Sequence, residues 1–217
     1  MQFEDATYSP NDAPARVKSG ARLVNFRCND VSKTNVSRAS GIAFGRSLAI
    51  DPGAHVGPAV EKSEINAAHD GRIVQCPTQA MPGRVYQRVI DNRMAAQPDL
   101  VEDLRTCTVG GKPVCVFLKR RQVTKRFLNT NSEVLLRRPE EVFSPSELEQ
   151  IGAFTREIGL DWGGVDVLRD RADGALTIVD ANKTDMGPPI GLNLPDKIVA
   201  TRMLARAFRA FVRGENA

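Results

Sequence analysis

Apolar and polar residues alternate most regularly from Leu104 to Arg120, where LRTCTV and KPVCVFLKR flank the pair Gly110-Gly111. A period of two marks a half-buried strand, and adjacent glycines supply the left-handed backbone of a tight turn, so this stretch predicts an antiparallel hairpin. The stretch from Asp161 to Pro189 predicts a second one: GGVDVL, the polar turn RDRADG, then ALTIVDAN. Shorter strand-like pieces stand at ARLVNF (21–26), PAVEKS (58–63), GRIVQC (71–76) and RVYQRVI (84–90). The loop from Glu64 to Gly71 separates PAVEKS from GRIVQC, and a polar connection containing Pro98 follows RVYQRVI.

The clearest helix follows Ser144, a good N-cap, with Pro145 in the first position and Glu147 completing a capping box. Leu148, Ile151 and Ile158 form its apolar stripe, and Gly159 is a natural stop. A second helix is expected from a cap at Asn29 or Asp30 to Phe44, ended by Gly45. A third spans about Asp196 to Val212 and should bury Val199, Leu204, Phe208, Phe211 and Val212. Arg202, Arg206, Arg209 and Arg213 recur on its opposite side, most simply a solvated face. Residues 1 to about 20 carry Pro10, Pro14 and few large apolar groups and predict a loose lead-in. The element order is that of an α+β chain whose 217 residues suffice for one sizeable domain or two small lobes.

Composition mainly excludes. No apolar run approaches the ~18 residues of a membrane span, and the acidic, polar start is unlike a secretory signal. The four cysteines, Cys28, Cys76, Cys107 and Cys115, are scattered without a CxxC pair, which argues against a zinc site or disulfide framework and fits a reducing, cytoplasmic setting. Net charge is +4, from 30 basic and 26 acidic residues, a modest excess that suits an anionic ligand. With 6% aromatic residues there is little to stack bases, so nucleic acid is disfavoured as a partner. The densest basic run, Lys119 to Arg121 and then Lys125-Arg126, reads as a solvated edge or as a site for nucleotide phosphates or an acidic substrate.

Candidate chemistry concentrates in the second hairpin. Centred near Asp173, it places Asp166 directly across from Asp180. Strict alternation puts Leu176, Ile178, Asp180 and Asn182 on one face. Two opposed carboxylates repel unless a cation lies between them, and the Asn182 amide oxygen completes a hard, all-oxygen set suited to magnesium.

With that hairpin placed, the upstream order becomes familiar: Lys33 in NDVSK, Lys62 in AVEKS, Gln87 in YQRVIDN, Asp-Leu-Arg at 103–105, then the basic stretch Arg121 to Asn131. From about Val24 to Pro189 the chain resembles the ATP-grasp superfamily, especially ribosomal-protein glutamate ligases and related carboxylate–amine ligases. The resemblance implies two α+β lobes with antiparallel sheets enclosing a nucleotide cleft: a lead-in at 1–23, an N-terminal lobe at 24–84 and a C-terminal lobe at 85–217. It implies Lys33 and Lys62 on the phosphates of ATP, and Gln87, Arg88 and Val89 as a hinge whose backbone reads the adenine edge. Asp91 would reach the ribose. Asp166, Asp180 and Asn182 would hold Mg2+, with Mn2+ as a substitute, and Arg105, Arg121 and Arg126 would bind a substrate carboxylate or the transferring phosphoryl group. The activity implied is ATP-dependent joining of a small-molecule or peptide carboxylate to an amine, with a kinase or a noncatalytic ATP-binding module as alternatives.

Two departures stand out. Asp180 takes the place of the glutamate of most relatives, and the phosphate-covering loop reads EINAAHDG, with Gly71 as its one glycine. His69 and Asp70 in that loop are expected to bond within it more readily than to substrate or phosphate. Relatives also carry a further α/β domain ahead of the grasp, where about 24 residues stand here; a homodimer or a partner protein is the expected substitute.

Overall fold

The computed structural model describes residues 1–4, 6–9, 20–185 and 187–215. Its elements are α1 (Lys33–Phe44), β1 (Gly57–Ser63), β2 (Arg72–Cys76), β3 (Arg84–Arg88), β4 (Leu100–Val109), β5 (Lys112–Gln122), β6 (Glu133–Arg137), α2 (Pro145–Glu157), β7 (Trp162–Arg169), β8 (Leu176–Asn182) and α3 (Leu194–Arg213). They build a three-stranded antiparallel sheet, ordered β2-β1-β3, and a five-stranded antiparallel sheet, ordered β6-β5-β4-β7-β8. Both expected hairpins form, and Gly110 and Gly111 turn the first with φ +58° and +83°. A side chain at Gly110 would strike the ring of Phe211, so the turn also needs the missing Cβ.

One face of the larger sheet is dry. Leu104, Val116, Leu118, Val165, Val167 and Ile178 pack there against Val36 and Ala39 of α1 and Ile151 and Phe154 of α2. Burying each such aliphatic or aromatic side chain contributes roughly 1.5–3 kcal/mol. α2 has the expected capping box between Ser144 and Glu147. α1 packs on the larger sheet, and the smaller sheet continues through β3 to Arg88.

The structure corrects several readings. Ser32, not Asn29 or Asp30, caps α1: its hydroxyl accepts from the Asn35 backbone N–H, and Asp30 accepts from the Ser32 N–H at 2.8 Å. ARLVNF is no strand. Asn25 sits at φ +62° and uses its side-chain amide in place of a strand partner, accepting from Asp161 N and Trp162 N and donating to Trp162 O. The lead-in is docked in part, since Gln2 N donates to Val24 O, Ser9 N to Asn29 O, and Val31 N to Thr7 O; Pro10 and Pro14 lie outside the described residues. On α3, Leu204 and Ala200 are buried, but Val199 and Val212 are 47% and 45% exposed. Phe208 and Phe211 are half-buried, the first edge-on to Trp162 and the second beneath the Arg22 guanidinium.

The largest correction lies in β8. Asp166 does stand opposite Asp180, but Val167 pairs with Ile178, so Val179 is an extra residue that slips the register. This bulge breaks strict alternation. Leu176 and Ile178 enter the apolar core, whereas Asp180 lines the cleft between the two sheets.

Candidate active site

The cleft is floored by the second face of the five-stranded sheet. β4 presents Asp103, β5 Arg121, β7 Asp166 and Leu168, and β8 Val179 and Asp180. From above it is closed by Lys33 at the first turn of α1, by Val60 and Lys62 of β1, by Gln87 of β3, and by the loop from Ile65 to Gly71. Val60, Ile90, Leu168 and Val179 supply apolar walls, while the lysines and aspartates supply a charged end. A flat heterocycle joined to a polyanion matches that division. A second cavity adjoins the first and is lined by Arg105, Lys119, Asn182, Asp185 and the segments 128–131 and 187–191. His69, Asp103, Arg121, Asp166 and Asp180 line both, so the opposed carboxylates stand where the two cavities meet.

The charges are locked to one another. Lys33 Nζ donates to Asp180 Oδ1 at 2.6 Å and to Asn66 Oδ1 at 2.9 Å. Lys62 Nζ donates to the Val179 carbonyl at 3.2 Å, so the bulge that directs Asp180 into the cleft also holds a lysine. Burial lowers the Lys62 ammonium to about 8, against the opposing pull of Asp180. Arg105 donates to Asp166 at 3.2 Å and to Asp185 at 3.3 Å. Burial alone would raise the Asp166 carboxyl, but Arg105 and Lys119 hold it below the ordinary carboxylate value. Asp103 pairs with Arg121, and there burial outweighs the guanidinium and raises the carboxyl.

The fit of this chain to a divalent cation rests on Asp166. Its Oδ1 is buried and, among the described residues, has no hydrogen-bond partner. A buried anionic oxygen without a donor is costly, and an ion between Asp166 and Asp180 satisfies it. No trio of His, Cys, Asp or Glu gathers among the described residues. Two carboxylates with the Asn182 amide beside them are thus the donors an ion here would meet.

Gln87 and Arg88 line the cleft and Val89 does not. Gln87 is buried, and its side-chain Nε2 has no partner among the described residues, so the free donor is the amide rather than the backbone. Asp91 is not among the lining residues: Arg93 holds its carboxylate at 2.7 and 2.8 Å, and Asn92 lines the cleft instead. Asn92 was missed. It donates to Asp103 Oδ1 at 2.9 Å and accepts from Arg126 at 2.9 Å. Arg121 and Arg126 are structural ties here, Arg121 to Asp103, Asn131 and the Arg126 carbonyl, Arg126 to Ile90 O and Asn92. Asp103 could have been found, because period two puts it on the face of Arg105.

Asp70 bonds structurally but outside the loop, accepting from the Ser63 backbone N–H at the end of β1 at 2.9 Å and pairing with Arg84 of β3, not within the loop as expected. His69 lines both cavities at φ +48°. A Cβ on Gly71 would lie 2.7 Å from the Phe127 ring, so this glycine lets the loop close on the 123–131 segment. No helix among the described residues is long and apolar enough to cross a membrane, and all four cysteines are free and buried.

No family model and no curated protein matches the chain. Solved structures do. The ATP-grasp ligase PsnB complexed with precursor peptide PsnA2 and AMPPNP matches with a TM-score of 0.50 at 14% identity, over 86% of this chain and 63% of that one. PsnB with minimal precursor, Mg and ADP matches with a TM-score of 0.48 at 14% identity, over 80% and 60%. D-alanine–D-alanine ligase from Bacillus anthracis matches with a TM-score of 0.49 at 13% identity, over 85% and 69%. The chain spans about three fifths of the length of the PsnB ligase, 60–63%. At such identities the likeness is one of architecture, and it agrees with the two antiparallel sheets and the cleft between them: the chain has the ATP-grasp fold.

Proposed function

We propose that the chain is an ATP- and magnesium-dependent ligase that joins a carboxylate to an amine through an acyl phosphate, releasing ADP and phosphate. The observation that carries this reading is the meeting of two cavities at Asp166 and Asp180. A group transferred from one bound molecule to another must pass such a junction, and phosphoryl transfer depends on charge and positioning there. Lys33 and Lys62 lie at the phosphate end, and compact ammonium groups suit phosphate oxygens. Asp166, Asp180 and Asn182 would hold Mg2+, which when bound neutralises charge on the phosphates.

Arg105 and Lys119 line the second cavity beside Asp103, Asp166, Asp180 and Asp185, and would receive a substrate carboxylate there once bound Mg2+ offsets the aspartates. The carboxylate oxygen forms a bond to the γ-phosphorus as the bridging oxygen leaves with ADP. The amine nitrogen then bonds the carbonyl carbon as phosphate departs. Arg121 and Arg126 serve as positioning residues through their bonds to Asp103, Asn92 and Asn131. Gln87 Nε2 offers a donor to the base, and Asn92, which lines the cleft, fixes Asp103 and Arg126 beside it. A peptide carboxylate is among the substrates we propose, since the PsnB structure contains a precursor peptide.

The test is calorimetry of ATP with and without magnesium on the wild type and Asp180→Ala, followed by screening of carboxylate and amine pairs for ADP and phosphate. Magnesium-dependent binding lost in the variant, with both products released by the wild type, is expected; losing a preorganised charge costs about a hundredfold or more in rate. ADP with a stable phosphorylated product would make the protein a phosphotransferase. Absence of ATP binding by the wild type would sink the nucleotide site.

A further inference from the structure

A second charged surface lies outside the cleft. On α3, Val199, Arg202, Met203 and Arg206 share one face at helical spacing, and that face flanks a groove whose other wall is Leu136, Arg137 and Arg138 at the end of β6. β6 is an edge strand of the five-stranded sheet. Arg120, one strand inward, pairs with Glu102 and Glu133. The four groove arginines make no ion pair among the described residues. α3 holds five basic residues and one aspartate, an excess equal to the net +4 of the whole chain. The net positive charge of this protein thus equals that of one helix, the rest of the chain being balanced.

We propose that the groove between β6 and α3 docks an acidic segment of a peptide or protein. The planar guanidinium forks match carboxylates in bidentate fashion. Leu136, Val199 and Met203 give the groove an apolar floor for the side chains between the carboxylates, and Val199 is 47% exposed without such a cover. A nucleic acid fits less well. No aromatic ring lines the groove to stack a base. The inference needs no nucleotide chemistry and stands apart from the proposed ligase activity.

Fluorescence anisotropy tests it with a short labelled peptide alternating glutamate and leucine, its lysine–leucine counterpart, and a single-stranded oligonucleotide of equal charge. The glutamate peptide is expected to bind and to weaken about tenfold or more when salt rises to screen the contact. Arg202→Glu with Arg206→Glu should weaken it about a hundredfold. Both residues are exposed, and an unchanged thermal midpoint will show that the variant folds. A separate Arg137→Glu variant addresses the opposite wall. Failure of the glutamate peptide to bind, binding indifferent to these reversals, or equal affinity for the oligonucleotide would overturn the proposal.

Discussion

The two faces of the five-stranded sheet are drawn from the same strands and differ in nearly every chemical respect. Leu104, Val116, Val165 and Val167 point to a dry layer under α1 and α2. Their immediate neighbours on the strands, such as Asp103 and Asp166, point to the cleft. The second face is also largely withdrawn from water: Asp103 and Arg121 are 8% and 6% exposed. It is held by mutual neutralisation, Asp103 with Arg121, Asp166 and Asp185 with Arg105, Asp180 with Lys33. Desolvation offsets most of what such pairs gain, so they contribute little net stability. They keep charges preorganised at the junction of two cavities. One face therefore holds most of the fold. The other divides between the charged site and an apolar patch of Cys107, Cys115 and Phe117 under α3. Substitutions should separate the apolar layer from the charges.

The largest expected effect is on the dry face. Phe154 of α2 is fully buried in the layer against the sheet. Phe154→Ala should cost about 3–5 kcal/mol of stability, the transfer loss plus a cavity that collapses only in part. Urea unfolding measures it, and the folded fraction should bind magnesium–ATP as the wild type does. A stability change near zero would mean that the apolar layer is not what holds the larger sheet together.

The cleft face should respond the other way. Asp166→Asn keeps the shape of the side chain, removes its charge and turns one of its two oxygens, of which Oδ1 has no donor, into an amide nitrogen. Turnover should fall by about a hundredfold or more, equal to roughly 2.7 kcal/mol or more on the barrier. The unfolding midpoint should move far less than in Phe154→Ala, because Arg105 keeps Asp185 as a partner. Comparable loss of stability in both variants would erase the distinction between the faces.

What the chain reveals in advance follows the same division. Alternation and turn residues show both hairpins of the larger sheet and the opposition of Asp166 to Asp180. The capping box shows α2. The bulge at Val179 is invisible, because LTIVDAN alternates as well in one register as in a slipped one, and the packing of Ile178 in the core decides between them. Asp91 and Asn92 are equally plausible neighbours until Arg93 takes the first and Asp103 the second. The lead-in is misread for a related reason. Its docking depends on the backbone N–H and C=O groups of Val24, Asn29 and Val31, far less on side-chain pattern.

The smallest effect concerns α3, where reading from periodicity overestimated burial. An apolar stripe is a demand for cover, and tertiary packing meets it only where another surface lies opposite. Cys107, Cys115 and Phe117 of the larger sheet lie against Ala200 and Leu204, and the fit ends there. Phe211 finds Gly110 and Arg22, while Val212 is turned away and 45% exposed. Val212→Ala should therefore change stability by less than about 0.5 kcal/mol, measured by urea unfolding beside Phe154→Ala. A cost of several times that would show Val212 covered in solution, by a second copy of the chain or another protein. The exposed side of α3 would then be an interface in its own right.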